Sequence, residues 1–196
     1  MVKAILFDAD GVVIKARERF FSERFAETQN ISAEVVLPFF KNDMRGAFTG
    51  KVNLKDAVEK YLAVWNWNGT AEEFLMYWFS QESPRDEEVL AYIDSLRSSG
   101  IKCYLATDRE QYWADYLVED VDLKSHMDGF MFSYDIGYEK HESKYFEEVL
   151  RRLDCTPNEV MYWDDDQKNV DVAKGLGIDA RFYTRLEELK HSIPLT

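Results

Sequence analysis

A chain of 196 residues is long enough for one domain, or one domain with an insert, and its 46% hydrophobic content, with five Trp, supplies a sizeable core, which excludes disorder as the native state. Its 37 Asp+Glu outweigh 24 Lys+Arg, and the resulting net charge of −13 works against binding nucleic acid or an anionic membrane. Cys103 and Cys155 are too few for a disulfide scaffold and lie in no metal-binding spacing, so they read as ordinary thiols of a reducing compartment.

The first element in chain order is an apolar run at 2–7, closed by Asp8. It lacks the basic start and apolar core of a signal peptide. No later stretch reaches the roughly 18 uncharged apolar residues that a membrane span needs. A cytoplasmic protein is the expectation.

Residues 15–85 are too many for a single crossover and predict a helical insert. Within it, Leu54, Ala57, Val58, Tyr61, Leu62 and Trp65 recur at spacings of three and four after Asn53, a residue suited to N-capping, and predict one helix over 54–65. Thr70 and Glu73 have the spacing of a capping box, opening a second helix that buries Phe74, Leu75, Trp78 and Phe79. A further helix over 86–99 ends at Gly100, a C-cap signal.

Beyond the insert, short apolar runs at 101–106, 129–134, 160–163 and 180–183 alternate with helical periods at 110–118, 143–153 and 169–176. Pro157 is placed to start a turn before the fourth run. With the run at 2–7 this predicts an α/β fold: a doubly wound, Rossmann-like parallel sheet carrying an inserted α-helical cap. The core takes residues 1–14 and 86–196, the cap 15–85.

In such sheets ligands sit beyond the carboxyl ends of the strands. Those ends here are Asp8-Ala9-Asp10-Gly11, Thr107-Asp108 and Asp164-Asp165-Asp166, with Lys140 soon after the third run. Paired acids are common by chance at this acid content; their position is the signal. Carboxylates crowded into a partly desolvated mouth repel one another, and a divalent cation resolves the conflict. Hard oxygen donors from Asp8, Asp165 and a backbone carbonyl, completed by water, suit Mg²⁺.

Asp8-Ala9-Asp10-Gly11-Val12, Thr107, Lys140 and Asp164-Asp165 stand in the order of the four motifs of the haloacid dehalogenase-like hydrolases, and the chain resembles that superfamily from Val2 to about Tyr183. Gly50-Lys51-Val52-Asn53, Gly137-Tyr138-Glu139-Lys140 and Asn169-Val170 look like its helical-cap branch of small sugar-phosphate phosphatases. The resemblance implies that Asp8 is the nucleophile, forming an aspartyl phosphate. It implies that Asp10 is the general acid and base and binds the metal through its main-chain carbonyl. Thr107 and Lys140 would hold the phosphoryl oxygens, Asp165 would ligate Mg²⁺ and Asp164 would support it. The implied substrate is a small phosphorylated metabolite, with no nucleic-acid or membrane partner; the pattern does not specify an oligomeric state.

Two positions depart from the family pattern. Asp108 stands where asparagine is common and adds a negative charge near the phosphate site, unless its side chain caps the helix that follows, which is the favoured expectation. His141 stands where proline is usual and removes a fixed φ beside Lys140. The competing readings are a non-catalytic or weakly active binding protein on the same fold, a 2-haloacid dehalogenase, and a receiver domain. The second acid and the Asp164-Asp165 pair argue against the dehalogenase. A phosphorylated Asp on the third strand and the lack of a large insert set the receiver domain apart.

Overall fold

Five short strands, mainly apolar and aromatic except at the mixed edge strand 179–182, form one parallel sheet in a computed structural model that describes residues 2–193. They are β1 (Ala4–Phe7), β2 (Lys102–Thr107), β3 (Gly129–Phe132), β4 (Val160–Asp164) and β5 (Asp179–Phe182), in spatial order β3-β2-β1-β4-β5. The chain runs outward from β1 to β3, then returns past β1 to β4 and β5. The winding therefore reverses between β1 and β4, where Phe7 pairs with Trp163 and places Asp8 beside Asp164.

Alternate strand residues point to opposite faces, and both faces are covered. Ile5, Phe7, Leu105 and Trp163 join one hydrophobic cluster with α5 (Glu87–Ser98), α6 (Gln111–Glu119) and α10 (Leu186–Ser192). Leu6, Ala106, Tyr162 and Ala180 join a second with α8 (Ser143–Leu153) and α9 (Gln167–Gly175). This is the doubly wound α/β sheet that the sequence predicts. Among the described residues no helix is long and apolar enough to cross a membrane, and Cys103 and Cys155 are both free.

Between β1 and α5 the chain is helical: α1 (Phe21–Gln29), α2 (Ala33–Pro38), a π turn (Phe39–Asp43), a 3₁₀ turn (Arg45–Thr49), α3 (Leu54–Glu59) and α4 (Ala71–Glu82). Its two ends meet, since Ile14 bridges to Arg85 and Asp86 N–H donates to Val13 O at 2.8 Å. The predicted 54–65 helix stops at Glu59 and continues as turns to Asn66, which takes φ +55°. The stripe is buried all the same, because turns bonded Tyr61 N–H to Val58 O and Trp65 N–H to Tyr61 O keep Leu62 and Trp65 on the inner face. Trp65 sits at the centre of an aromatic cluster with Phe25, Phe39 and Phe74, at ring distances of 5.8, 5.1 and 5.1 Å.

The Thr70–Glu73 capping box forms as predicted. At the end of α5, Gly100 takes φ +93°, and Gly100 and Ile101 donate to Arg97 O and Leu96 O, the paired bonds of a Schellman stop. The strand predicted over 129–134 instead ends at Phe132, where the chain turns into the short helix α7 (Ser133–Ile136).

Thr70→Ala is expected to cost about 1 kcal/mol by leaving first-turn amides of α4 unpaired. Phe74→Ala, which empties a fully buried site in the aromatic cluster, is expected to cost about 3–5 kcal/mol. Urea midpoints at unchanged slope measure both, and a Phe74→Ala midpoint equal to that of the parent contradicts the packing argument.

Candidate active site

The site grows from the carboxyl ends of β1, β2 and β4 and from the loop after α7. Asp8 is buried and lies 2.6 Å from Lys140 Nζ, a charge contact outside the angle of a hydrogen bond. Lys140, itself 3% exposed, donates from the same ammonium to Asp164 Oδ2 at 2.8 Å. Asp164 is fully buried and its oxygens are well occupied. Oδ2 also accepts from the Tyr162 hydroxyl and from Asn169 Nδ2 at 3.1 Å, while Oδ1 accepts the Asp166 N–H at 2.6 Å. Asp165, by contrast, is exposed and extends toward Gly11.

Gly11 is needed there for two reasons. Its φ of +72° is one that side chains rarely adopt, and a Cβ on it would stand 2.0 Å from Asp165 Oδ2. The glycine in Asp8-Ala9-Asp10-Gly11 thus lets the acid of one strand end reach the acids of another. One oxygen each from Asp8, Asp164 and Asp165 lie within 4.8 Å of one another. An all-oxygen donor set of this kind suits a hard divalent cation, Asp8 Oδ1 being already ion-paired to Lys140.

The electrostatics follow from burial against pairing. Burial pushes the Asp8 carboxyl up to about 7, Lys140 pulls it back, and Asp164 and Asp10 raise it further. Burial also raises Asp164, but Lys140, Tyr162 and the Asp166 amide outweigh it and hold that carboxyl below the usual range. Burial alone would lower Lys140; Asp8, Asp164 and Asp108 together lift it above an ordinary lysine.

Thr107 ends β2 and is 1% exposed. The Asp10 carboxylate stands apart from the three-acid cluster and pairs with Arg17 and Arg109. Burial raises its pKa, but the two guanidiniums win and keep it below the ordinary value.

Asp108 does not cap α6, contrary to expectation. Its Oδ1 accepts the Lys140 N–H at 3.0 Å, and the cap is Glu110, whose carboxylate accepts from Tyr112 N–H at 2.9 Å and from Trp113 N–H at 2.5 Å. Asp108 instead satisfies the Lys140 backbone amide, which leaves its carboxylate turned to the lysine loop and away from the helix start. His141, in the place of a proline, leaves Lys140 anchored by this bond and by two carboxylates.

Reasoning from the sequence missed Arg17, Glu82 and Arg109. Arg109 is buried, lies 4.4 Å over the Trp113 ring and donates to Asp108 O. Glu82 at the end of α4 is buried between Arg17 and Arg24. The available signal was position: Arg109 follows Thr107 by two at a strand mouth, and Arg17 and Glu82 flank the two ends of the insert.

A family model described as hydrolase, haloacid dehalogenase-like hydrolase, matches residues 2–177. The chain is 26% identical over 187 residues to the phosphorylated carbohydrates phosphatase of Thermotoga maritima, covering 91% of this chain and 83% of that protein. It is 24% identical over 189 residues to the D-ribitol-5-phosphate phosphatase of Bacteroides thetaiotaomicron, covering 91% and 90%. A HAD family enzyme of Bacteroides thetaiotaomicron, solved in complex with magnesium and inorganic phosphate, shares the fold at TM-score 0.79 and 18% identity over 94% of this chain and 95% of that one.

The raised Asp8 carboxyl sets a pH dependence. A buried acid with a raised pKa supports the fold below the ordinary carboxylate range, and that contribution is lost as pH rises through about 7. A divalent cation that takes the ionised form must displace the proton, so any affinity for added Mg²⁺ measured by calorimetry is expected to tighten from about pH 6 to about pH 8 with proton release. A pH-independent affinity would contradict this.

Proposed function

The chain belongs to the haloacid dehalogenase-like hydrolases, and from that membership we propose that it is a Mg²⁺-dependent phosphomonoesterase acting on a small phosphorylated metabolite of the sugar-phosphate class. The observation that carries this reading is Asp8 held against Lys140 where the sheet winding reverses, beside two further carboxylates. The names of the two phosphatase relatives support the substrate class.

In this reading a phosphoryl group enters over Asp8. The Asp8 carboxylate bonds to phosphorus as the ester P–O bond breaks, and the departing oxygen takes a proton from Asp10. Water then attacks the aspartyl phosphate, giving its proton to Asp10 and freeing Asp8 and inorganic phosphate. The ion pairs to Arg17 and Arg109 favour ionised Asp10, the form this second half needs. The first half accordingly depends on substrate drawing guanidinium donors off Asp10. Lys140 and the Thr107 hydroxyl orient the phosphoryl oxygens.

Asp8, Asp165 and the Asp10 carbonyl would hold Mg²⁺, with Asp164, already hydrogen-bonded, in support. Bound there, the cation offsets charge on the phosphoryl oxygens. Residues 15–85 act as a cap on a core of 1–14 and 86–196, shielding the site from bulk water and limiting substrate size. The two free thiols agree with a cytoplasmic setting. A halide-releasing reaction needs neither the carboxylate cluster nor Asp10, and so accounts for less of the site.

Asp8→Asn is expected to abolish phosphate release with the fold retained, since an amide is a poor nucleophile. Asp10→Asn is expected to lower it by about 100-fold or more. Either variant at full rate on a panel of phosphorylated metabolites sinks the mechanism. Chelation is expected to stop turnover, Mg²⁺ to restore it and Ca²⁺, with its looser and larger shell, not to.

A further inference from the structure

Above Asp10, between the sheet mouth and the helical insert, lies a cavity of about 320 Å³. Aromatic side chains from the insert and from α6, among them Phe48, Trp78 and Trp113, wall it. Its charged lining is unbalanced: the guanidiniums of Arg17, Arg45 and Arg109 face it against the carboxylates of Asp10 and Glu82. This excess of positive charge stands in a chain whose net charge is −13.

The donors are also incompletely used. Arg109 spends one terminal nitrogen on Asp108 O and one on Asp10, while its Nε is buried out of reach, so an anion in the cavity meets its charge and competes with Asp10 for its donors. Arg45, on the 3₁₀ turn, is exposed and makes no ion pair among the described residues, the Glu139 carboxylate being near enough to feel its charge. A wall of this kind is matched by an oxyanion, which guanidinium binds through paired hydrogen bonds.

We propose that the leaving group of the substrate carries a second anionic group, a carboxylate or a phosphate, and that Arg45 together with Arg109 reads it in this cavity. The inference rests on the phosphomonoesterase reading and narrows its substrate class to phosphorylated sugar acids or bisphosphates over neutral polyol and sugar monophosphates. The cavity lies at the small end of ligand pockets, which keeps the leaving group to the size of a sugar.

Matched substrates test it. The kcat/KM for 3-phosphoglycerate is compared with that for glycerol 3-phosphate, and that for fructose 1,6-bisphosphate with that for fructose 6-phosphate. The anionic member of at least one pair is expected to be favoured by about tenfold or more, chiefly through KM; which pair shows it separates carboxylate from phosphate. Arg45→Gln is expected to bring that ratio to within about threefold of unity, and Arg45→Lys to retain part of it. Equal or reversed preference in both pairs overturns the inference and leaves the phosphatase reading standing. A preference that survives Arg45→Gln unchanged overturns the role of Arg45. Absence of turnover on every phosphomonoester, with Mg²⁺ present, overturns both readings.

Discussion

One buried ammonium holds the site together. Lys140 is nearly inaccessible, and it is tolerated there because Asp8 and Asp164 lie within ion-pair distance and Asp108 binds its backbone amide. Each of these groups alone would be a buried charge without compensation, a state that typically costs about 3–5 kcal/mol when one partner is removed. The acids come from three strand ends and the lysine from a loop after the third strand. The charge balance can therefore be met only when β1, β2 and β4 are in register. The same charges tie together the ends of three strands of the sheet.

A second line of dependence runs through aromatic rings. Phe79 of α4 stacks on Trp113 of α6 at 5.0 Å, Trp78 meets the same ring at 5.1 Å, and the Arg109 guanidinium lies 4.4 Å over it. Trp113 also donates to Ser83 Oγ at 3.1 Å. The helical insert is thus seated on the same side chain that shapes the floor of the cavity. Its packing and the placement of an arginine next to Asp10 are one arrangement.

Much of this was legible in the chain. Apolar runs of strand length ending on acids located β1 and β4, whereas the close approach of Asp165 to Gly11 came only with the fold. The capping box at Thr70 and the stop at Gly100 are local chemistry and were readable as such. What escaped notice depended on distant partners. Aspartate is a good cap, and only the neighbouring Lys140 amide, 32 positions away, explains why Asp108 leaves that task to Glu110. Periodicity marked the buried face of 54–65 correctly but could not reveal that the backbone leaves the helix at Glu59, since turns can keep the same side chains inside. Arg17, Glu82 and Arg109 had only their positions at a strand mouth and at the ends of the insert to mark them, and they come together because the insert folds back over the sheet.

The insert leaves and rejoins the core at one point, where Ile14 and Arg85 are bridged and Lys15 N–H donates to Pro84 O at 2.9 Å. To the sheet, the long excursion is equivalent to a tight hairpin. A helical segment of different length grafted between these two residues would leave the closure at the end of β1 intact, because it is secured locally and extra length costs little entropy, but it would have to replace Arg17 beside Asp10 and the rings packed on Trp113. The fold thereby joins two kinds of constraint: the strand ends are tied by mutual charge, whereas the excursion between 14 and 85 is closed at its base by backbone bonds and reaches the strand ends through Arg17 and the rings around Trp113.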